Sequence, residues 1–198
     1  MANPVQTITG VIQPSYAFTR PSDTTAYAVG DLVANNTAAA SVVPMTWRVG
    51  SATDSKHTVY VTSVRLKVDK ASVTNAQFRI HLYKAIPTFT SAGDNGVFAT
   101  VVATGYASWL GSFDVTALAV MADGVVGHAV PTEGTILPYH LTGLDPGSPV
   151  VLYGLIEALA AYSPNSASVI TAEARAGVRW PLVSGCRSRG SRSVRRRW

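Results

Sequence analysis

The chain has 198 residues, of which 14% are charged and 47% hydrophobic, with a formal net charge of +5. That length suits one all-β domain with a sizeable core, and the charge is low against roughly 25% in an ordinary soluble domain, which points to surface buried against neighbours. Six of the sixteen basic residues are arginines in the last fifteen positions; residues 1–183 hold ten basic against eleven acidic groups, which excludes a broad nucleic-acid-binding face on the body.

The single Cys186 excludes an internal disulfide framework and suits a reducing compartment. The opening MANPVQTITG lacks the basic and apolar regions of a secretory signal, so the Asn35-Asn36-Thr37 sequon carries little meaning. The uncharged stretch from Gly96 to Phe113 contains Thr100, Thr104, Ser108, Ser112 and three glycines, and does not read as a membrane span.

In chain order, a turn at Arg20–Thr25 (RPSDTT) precedes a first extended run. VRLKV then alternates, with Val64, Leu66 and Val68 on one face and Arg65 and Lys67 on the other. After a short turn near VTNAQ, QFRIHLYK repeats the pattern: Phe78, Ile80 and Leu82 face one way, Arg79, His81 and Tyr83 the other. SAGDNG (Ser91 to Gly96) closes a tight turn. VTALAVMADG (Val115 to Gly124), Ala-rich and ending in Gly, is the best helix candidate. LDPGSP (Leu144 to Pro149) is a further turn before PVVLYGLIE (Pro149 to Glu157), whose continuous apolar run suits a strand covered on both faces. YSPNSAS separates it from VITAEARAGVRW, which puts Ile170, Ala172, Ala174, Ala176, Val178 and Trp180 on one face against Thr171, Glu173 and Arg175. Short strands, frequent turns and no βαβ rhythm predict an all-β, antiparallel two-sheet sandwich, jelly-roll-like, of eight to ten strands over residues 1–183, with 184–198 as an Arg-rich C-terminal tail.

Catalytic motifs are missing. There is no nucleophile elbow, no zinc-protease helix and no phosphate loop, and the histidines His57, His81, His128 and His140 are scattered without the His-x-His of a cupin site. Surface or strand-edge positions are the plainer account of them. Glu157 and Glu173 on consecutive strands raise a glycosidase pair across a sandwich cleft, against the plainer account of two outward strand residues. Cys186 has no nearby base. No catalytic residue, metal or cofactor is expected. Trp47, Trp109, Trp180, Tyr60, Tyr83, Tyr106, Tyr139 and Tyr153 suit a core or interface, with a flat sugar-binding platform as the rival.

The tail, SGCRSRGSRSVRRRW, is polar and basic, and a free solvated segment is its plainest account. Its arginines suit bidentate bonds to carboxylates or phosphates, so Arg187, Arg189, Arg192, Arg195, Arg196, Arg197 and Trp198 are the candidate tether to a capsid or neighbouring subunit. Packaged DNA is the less favoured partner, and a run read in a shifted frame would have no role.

Three stretches resemble a family: RPSDTTAYAVGDLVANNT (Arg20 to Thr37), FRIHLYKAIPTFTSAGDNGVFA (Phe78 to Ala99) and ASWLGSFDV (Ala107 to Val115). In that order they are similar to small proteins encoded near the major capsid gene of tailed phages. The resemblance covers about Ser15 to Trp180 and leaves out the tail after Leu182. It implies a non-enzymatic decoration or cement protein that binds the major capsid protein and itself, as a homodimer or homotrimer at shell symmetry axes. It would sit on the outer surface of the virion and be made in the host bacterial cytoplasm. A carbohydrate-binding host-recognition module of a phage particle is the alternative.

Overall fold

The computed structural model describes residues 10–51, 56–70, 73, 76–88, 90, 92–100, 102–116, 119–132, 137–142 and 149–179. The tail, the 183/184 boundary, Trp180 and the turn at 144–148 lie outside them, as do the side chains of Val178, Tyr139, His57 and His140.

The described strands are β1 (Gly10–Ile12), β2 (Ser15–Thr19), β3 (Leu32–Val33), β4 (Met45–Ser51), β5 (Lys56–Val68), β6 (Phe78–Tyr83), β7 (Trp109–Val115), β8 (Ala119–Met121), β9 (Gly124–Ala129), β10 (Leu137–Thr142), β11 (Pro149–Ala158) and β12 (Val169–Arg179). Among the described residues one α-helix, α1 (Val102–Ser108), precedes β7. A seven-stranded sheet runs β1-β12-β5-β9-β8, with β2 on β12 and β10 on β5; a five-stranded sheet runs β3-β11-β6-β7, with β4 on β11. Every pairing is antiparallel.

Take β2, β4, β5, β6, β7, β9, β11 and β12 as eight principal strands. One sheet then reads first, eighth, third, sixth, and the other second, seventh, fourth, fifth. Two interlocked Greek keys of this order make a jelly roll. The expected fold class is the one observed.

Period-two alternation explains the core. Phe78, Ile80 and Leu82 from β6 meet Val64, Leu66 and Val68 from β5 and Ile170, Ala172, Ala174 and Ala176 from β12 between the sheets. Trp47 fills the centre, and its indole N–H donates to the Ala172 carbonyl at 3.0 Å. In β5 the inward phase changes between Val61 and Val64, where the pairing to β12 slips by one residue. This bulge lets one long strand serve the core along its whole length.

β11 is apolar on both faces for a reason. Leu152 and Ile156 enter the main core, whereas Leu155 and Tyr153 pack outward with Leu32, Ala34, Val42, Tyr83 and Phe98 in a second cluster. Loops and α1 therefore cover part of the five-stranded sheet's outer face. The helix expected at 115–124 is absent. Val115 ends β7, and residues 119–124 enter the β8–β9 hairpin instead, with Met121 opposite Gly124. A side chain at Gly124 would lie 2.2 Å from the Val68 carbonyl oxygen, so close strand packing overrides the Ala-rich composition.

Candidate functional site

Two polar constellations stand out, one buried and one open. The buried one joins two loops that the sequence shows only as turns. Arg20 and Asp94 pair through Nη2 and Oδ2 at 2.8 Å with both side chains fully buried. Asp94 Oδ1 accepts from the Tyr27 hydroxyl at 2.6 Å and the Ala34 amide at 2.7 Å. Arg20 Nε donates to the Tyr27 oxygen, and Tyr27 stacks on Tyr162 at 4.8 Å. Burial first, and Asp94 among its neighbours, push the Tyr27 hydroxyl well above the ordinary tyrosine range, so it stays a donor. Gly93, at φ +102°, lets this turn press onto the Thr37 carbonyl, where a Cβ would come within 2.2 Å.

The open constellation lies on the outer face of the five-stranded sheet. His81 Nε2 sits 2.9 Å from Glu157 Oε2, and the imidazole stacks on Phe98 at 4.5 Å and 14°. Beside this pair is a pocket of about 300 Å³ walled by Tyr83, Phe98, Thr100, Tyr106 and Trp109, with His81 in its lining. Burial pushes the Tyr83 hydroxyl up to about 12, while a hydrogen bond with Thr100 opposes the rise. Tyr106 on α1 is 76% exposed and Trp109 at the start of β7 is 38% exposed.

Trp109 reaches this face because of an irregularity. Strand parity would place it with Phe113 and Val115 in the core. Between Leu82 and Tyr83, however, the β6–β7 register slips: Leu82 faces Gly111 and Tyr83 faces Trp109. Leu110 then packs against the core and Trp109 turns outward, which is what a bulge does to an aimed side chain. Gly111, at φ +145°, occupies the break.

The glycosidase geometry is overturned. Glu157 follows the core residue Ile156 on the five-stranded sheet, and Glu173 lies between Ala172 and Ala174 on the seven-stranded one. Each carboxylate therefore points away from the core on a different outer face. Glu173 sits 3.8 Å from Arg65, in a shallow cluster with Arg175 and His128. His81 lies on the face of β6 expected of it, opposite Phe78, Ile80 and Leu82, but is half-buried and paired rather than at the surface or a strand edge. Among the described residues no group of three or more His, Cys, Asp or Glu gathers to hold a metal, and no helix is long and apolar enough to cross a membrane. The aromatic set divides: Trp47 and Tyr83 are buried, whereas Tyr106 and Trp109 stand open. The tail arginines and Trp198 lie outside the described residues.

The chain matches no protein-family model and no curated protein sequence. Among solved structures it is similar to desmodium yellow mottle tymovirus, at 14% identity over 94% of this chain and 89% of that one, TM-score 0.29. It is also similar to the heated full particle of Israeli acute paralysis virus, at 11% identity over 88% and 72%, TM-score 0.34. A third likeness is to the carbohydrate-binding and catalytic modules of a Clostridium thermocellum xylanase complexed with xylohexaose, at 12% identity over 85% and 27%, TM-score 0.28. Likenesses this loose assign no family, and the jelly roll described above rests on the strand pairing itself.

Proposed function

We propose that this chain is a non-enzymatic structural protein of a virus particle, on the pattern of the tailed-phage decoration and cement proteins its sequence resembles. The observation that carries this reading is where the resembling residues go. Arg20 and Tyr27 come from one such stretch and Asp94 from another, and together they form a closed, buried latch. These three matching residues are spent on rigidity, and none of them is free for chemistry. Packing contacts supply the rest: Val120 and Met121 are exposed on β8, which ends the seven-stranded sheet and offers an edge to a neighbour.

The body would bind the major capsid protein and further copies of itself at shell symmetry axes, on the outer surface of the head. Many modest contacts, each of an ordinary interface size, then add up to resistance against internal DNA pressure. Arg187, Arg189, Arg192, Arg195, Arg196, Arg197 and Trp198 would add an electrostatic tether. Particles assembled without the protein should lose infectivity at lower temperature or milder osmotic shock than complete ones, and adding purified protein back should restore them. Intact particles with unchanged survival would sink this function. Removal of residues 184–198 should weaken retention on the shell, increasingly so at low salt where the tether counts most.

A further inference from the structure

We propose that the aromatic pocket beside His81 is a binding site for the ring of a neutral saccharide. Nothing in the shell-binding function requires this pocket, and the inference does not depend on that function. Its walls are costly to leave open. Tyr and Trp side chains each bring a large apolar area that folding ordinarily buries, yet Tyr106 and Trp109 stand exposed around one concavity. A pocket of about 300 Å³ lies at the small end of the range for specific ligand sites.

The chemistry of the lining narrows the ligand. Among the described residues the lining holds no lysine, arginine or carboxylate, and its one imidazole, His81, is already engaged by Glu157, so a phosphate or carboxylate ligand finds no unpaired cation and an ammonium ligand no direct anion. Glu157 stands behind His81 with one oxygen already engaged. The lining instead combines aromatic rings with two hydroxyl-bearing residues, Thr100 and Tyr106. A pyranose matches both: its axial C–H groups form an apolar face that stacks on Trp or Tyr, and its equatorial hydroxyls form a polar edge. The site is also held ready. His81 is clamped between Glu157 and Phe98, and Tyr83 is tied to Thr100, so little ordering remains to be done when a ligand arrives.

The register slip at Leu82/Tyr83 supports the same conclusion. It turns Trp109 from the core toward the pocket, and such irregularities gather where a side chain has to be aimed.

The test is a titration of the full chain with the methyl glycosides of glucose, galactose and N-acetylglucosamine, followed through the tryptophan indole N–H signals. The Trp109 indole should shift saturably in the millimolar range. The Trp47 indole, buried and bonded to Ala172, should stay still and serves as an internal control. Tyr106→Ala should weaken binding about tenfold, equivalent to about 1.4 kcal/mol. That residue is so exposed that the fold should be untouched, which an unchanged melting temperature would verify. Trp109→Ala should abolish the response of any other reporter of sugar binding. An unmoved Trp109 indole with all three sugars overturns the proposal, as does equal affinity in Tyr106→Ala. Saturable binding of tetramethylammonium or benzyl alcohol in place of the sugars also overturns it, by marking a cation cage or a plain apolar slot.

Discussion

Arg20–Asp94 and His81–Glu157 are both acid–base pairs at nearly the same separation, 2.8 and 2.9 Å. The first has no exposed side-chain surface, while the second keeps 13% and 20% exposed. Around the first, the bonding capacity of Asp94 is taken up by the guanidinium, a phenol and a backbone amide. Around the second, open aromatic walls continue outward to solvent. Desolvation makes the difference. A buried charge without its partner is expensive, so the latch is all-or-none, whereas a half-open pair tolerates the loss of a neighbour and leaves room for a ligand. The molecule has thus placed its rigidity at the crossing of two loops and its accessible chemistry on the outer face of the five-stranded sheet.

The strongest way to break this contrast is to remove the latch anion. Asp94→Ala leaves the buried Arg20 guanidinium with only the partly exposed Asp23 carboxylate at 3.6 Å as counter-charge and should cost about 3 kcal/mol, measured by denaturant unfolding. Adding Arg20→Met to that variant should recover part of the loss, because the poorly compensated buried charge goes with it. A double variant no more stable than Asp94→Ala would mean that the amide and phenol bonds, not the charge pair, carry the latch.

The two described tryptophans draw the same contrast in apolar terms. Trp47→Ala empties the centre of the sandwich and should cost about 3–5 kcal/mol. Trp109→Ala removes a half-open side chain and should cost below about 1 kcal/mol, within the range of surface changes. Comparable losses from both would show that Trp109 is a core residue and would undo the separation of the two regions. Between these falls Tyr27→Phe, which takes away one hydroxyl that both donates to Asp94 and accepts from Arg20, for about 1–3 kcal/mol.

Alkali should sharpen the comparison. The Tyr83 hydroxyl titrates near 10 in an unfolded chain and is raised to about 12 here, chiefly by burial. The folded state therefore holds that proton more tightly. The resulting stability is fully present below pH 10 and is lost as pH rises toward 12. Tyr27 and Tyr162 are shifted in the same direction, also chiefly by burial. Unfolding curves taken across this window should show stability falling, and Tyr83→Phe should make the fall shallower. An identical slope in Tyr83→Phe would mean that Tyr83 is not as buried as described.

Much of the sandwich was legible because period two is a local signal. The faces of β6 and of β12 up to Ala176 follow from alternation alone, and the double apolarity of β11 correctly marked a strand covered on both sides. The failures are non-local. Asp94 in SAGDNG looks like a turn former, and nothing in its neighbourhood reveals an arginine 74 positions away. VTALAVMADG has helical composition, but Gly124 is set by contact with the Val68 backbone. α1 was missed for the converse reason, since VATGYAS mixes β-branched residues with glycine. Of the pocket, the aromatic residue types were visible but their sorting was not. Trp47 obeys strand parity, whereas Trp109 is turned by a register slip that no alternation rule reports.

The smallest expected effect concerns the neighbouring pair on the same outer face as the pocket. Arg79 grips Asp114 with two bonds, Nε to Oδ1 at 2.7 Å and Nη2 to Oδ2 at 2.8 Å, and these hold the Asp114 carboxyl below the usual aspartate range. A depressed carboxylate contributes stability that is present above its unfolded value and lost as pH falls through the lowered folded one. Both side chains are about a third exposed, so solvent and salt screen the attraction, and Asp114→Asn should cost no more than about 1 kcal/mol at neutral pH. The difference between parent and variant should shrink as the medium is acidified, because protonation makes the parent resemble the variant. It should also shrink with added salt. The Asp94 latch, closed to solvent, should hardly respond to salt at all, and equal salt sensitivity at Asp94 and Asp114 would erase the distinction between the inside of this molecule and its outer face.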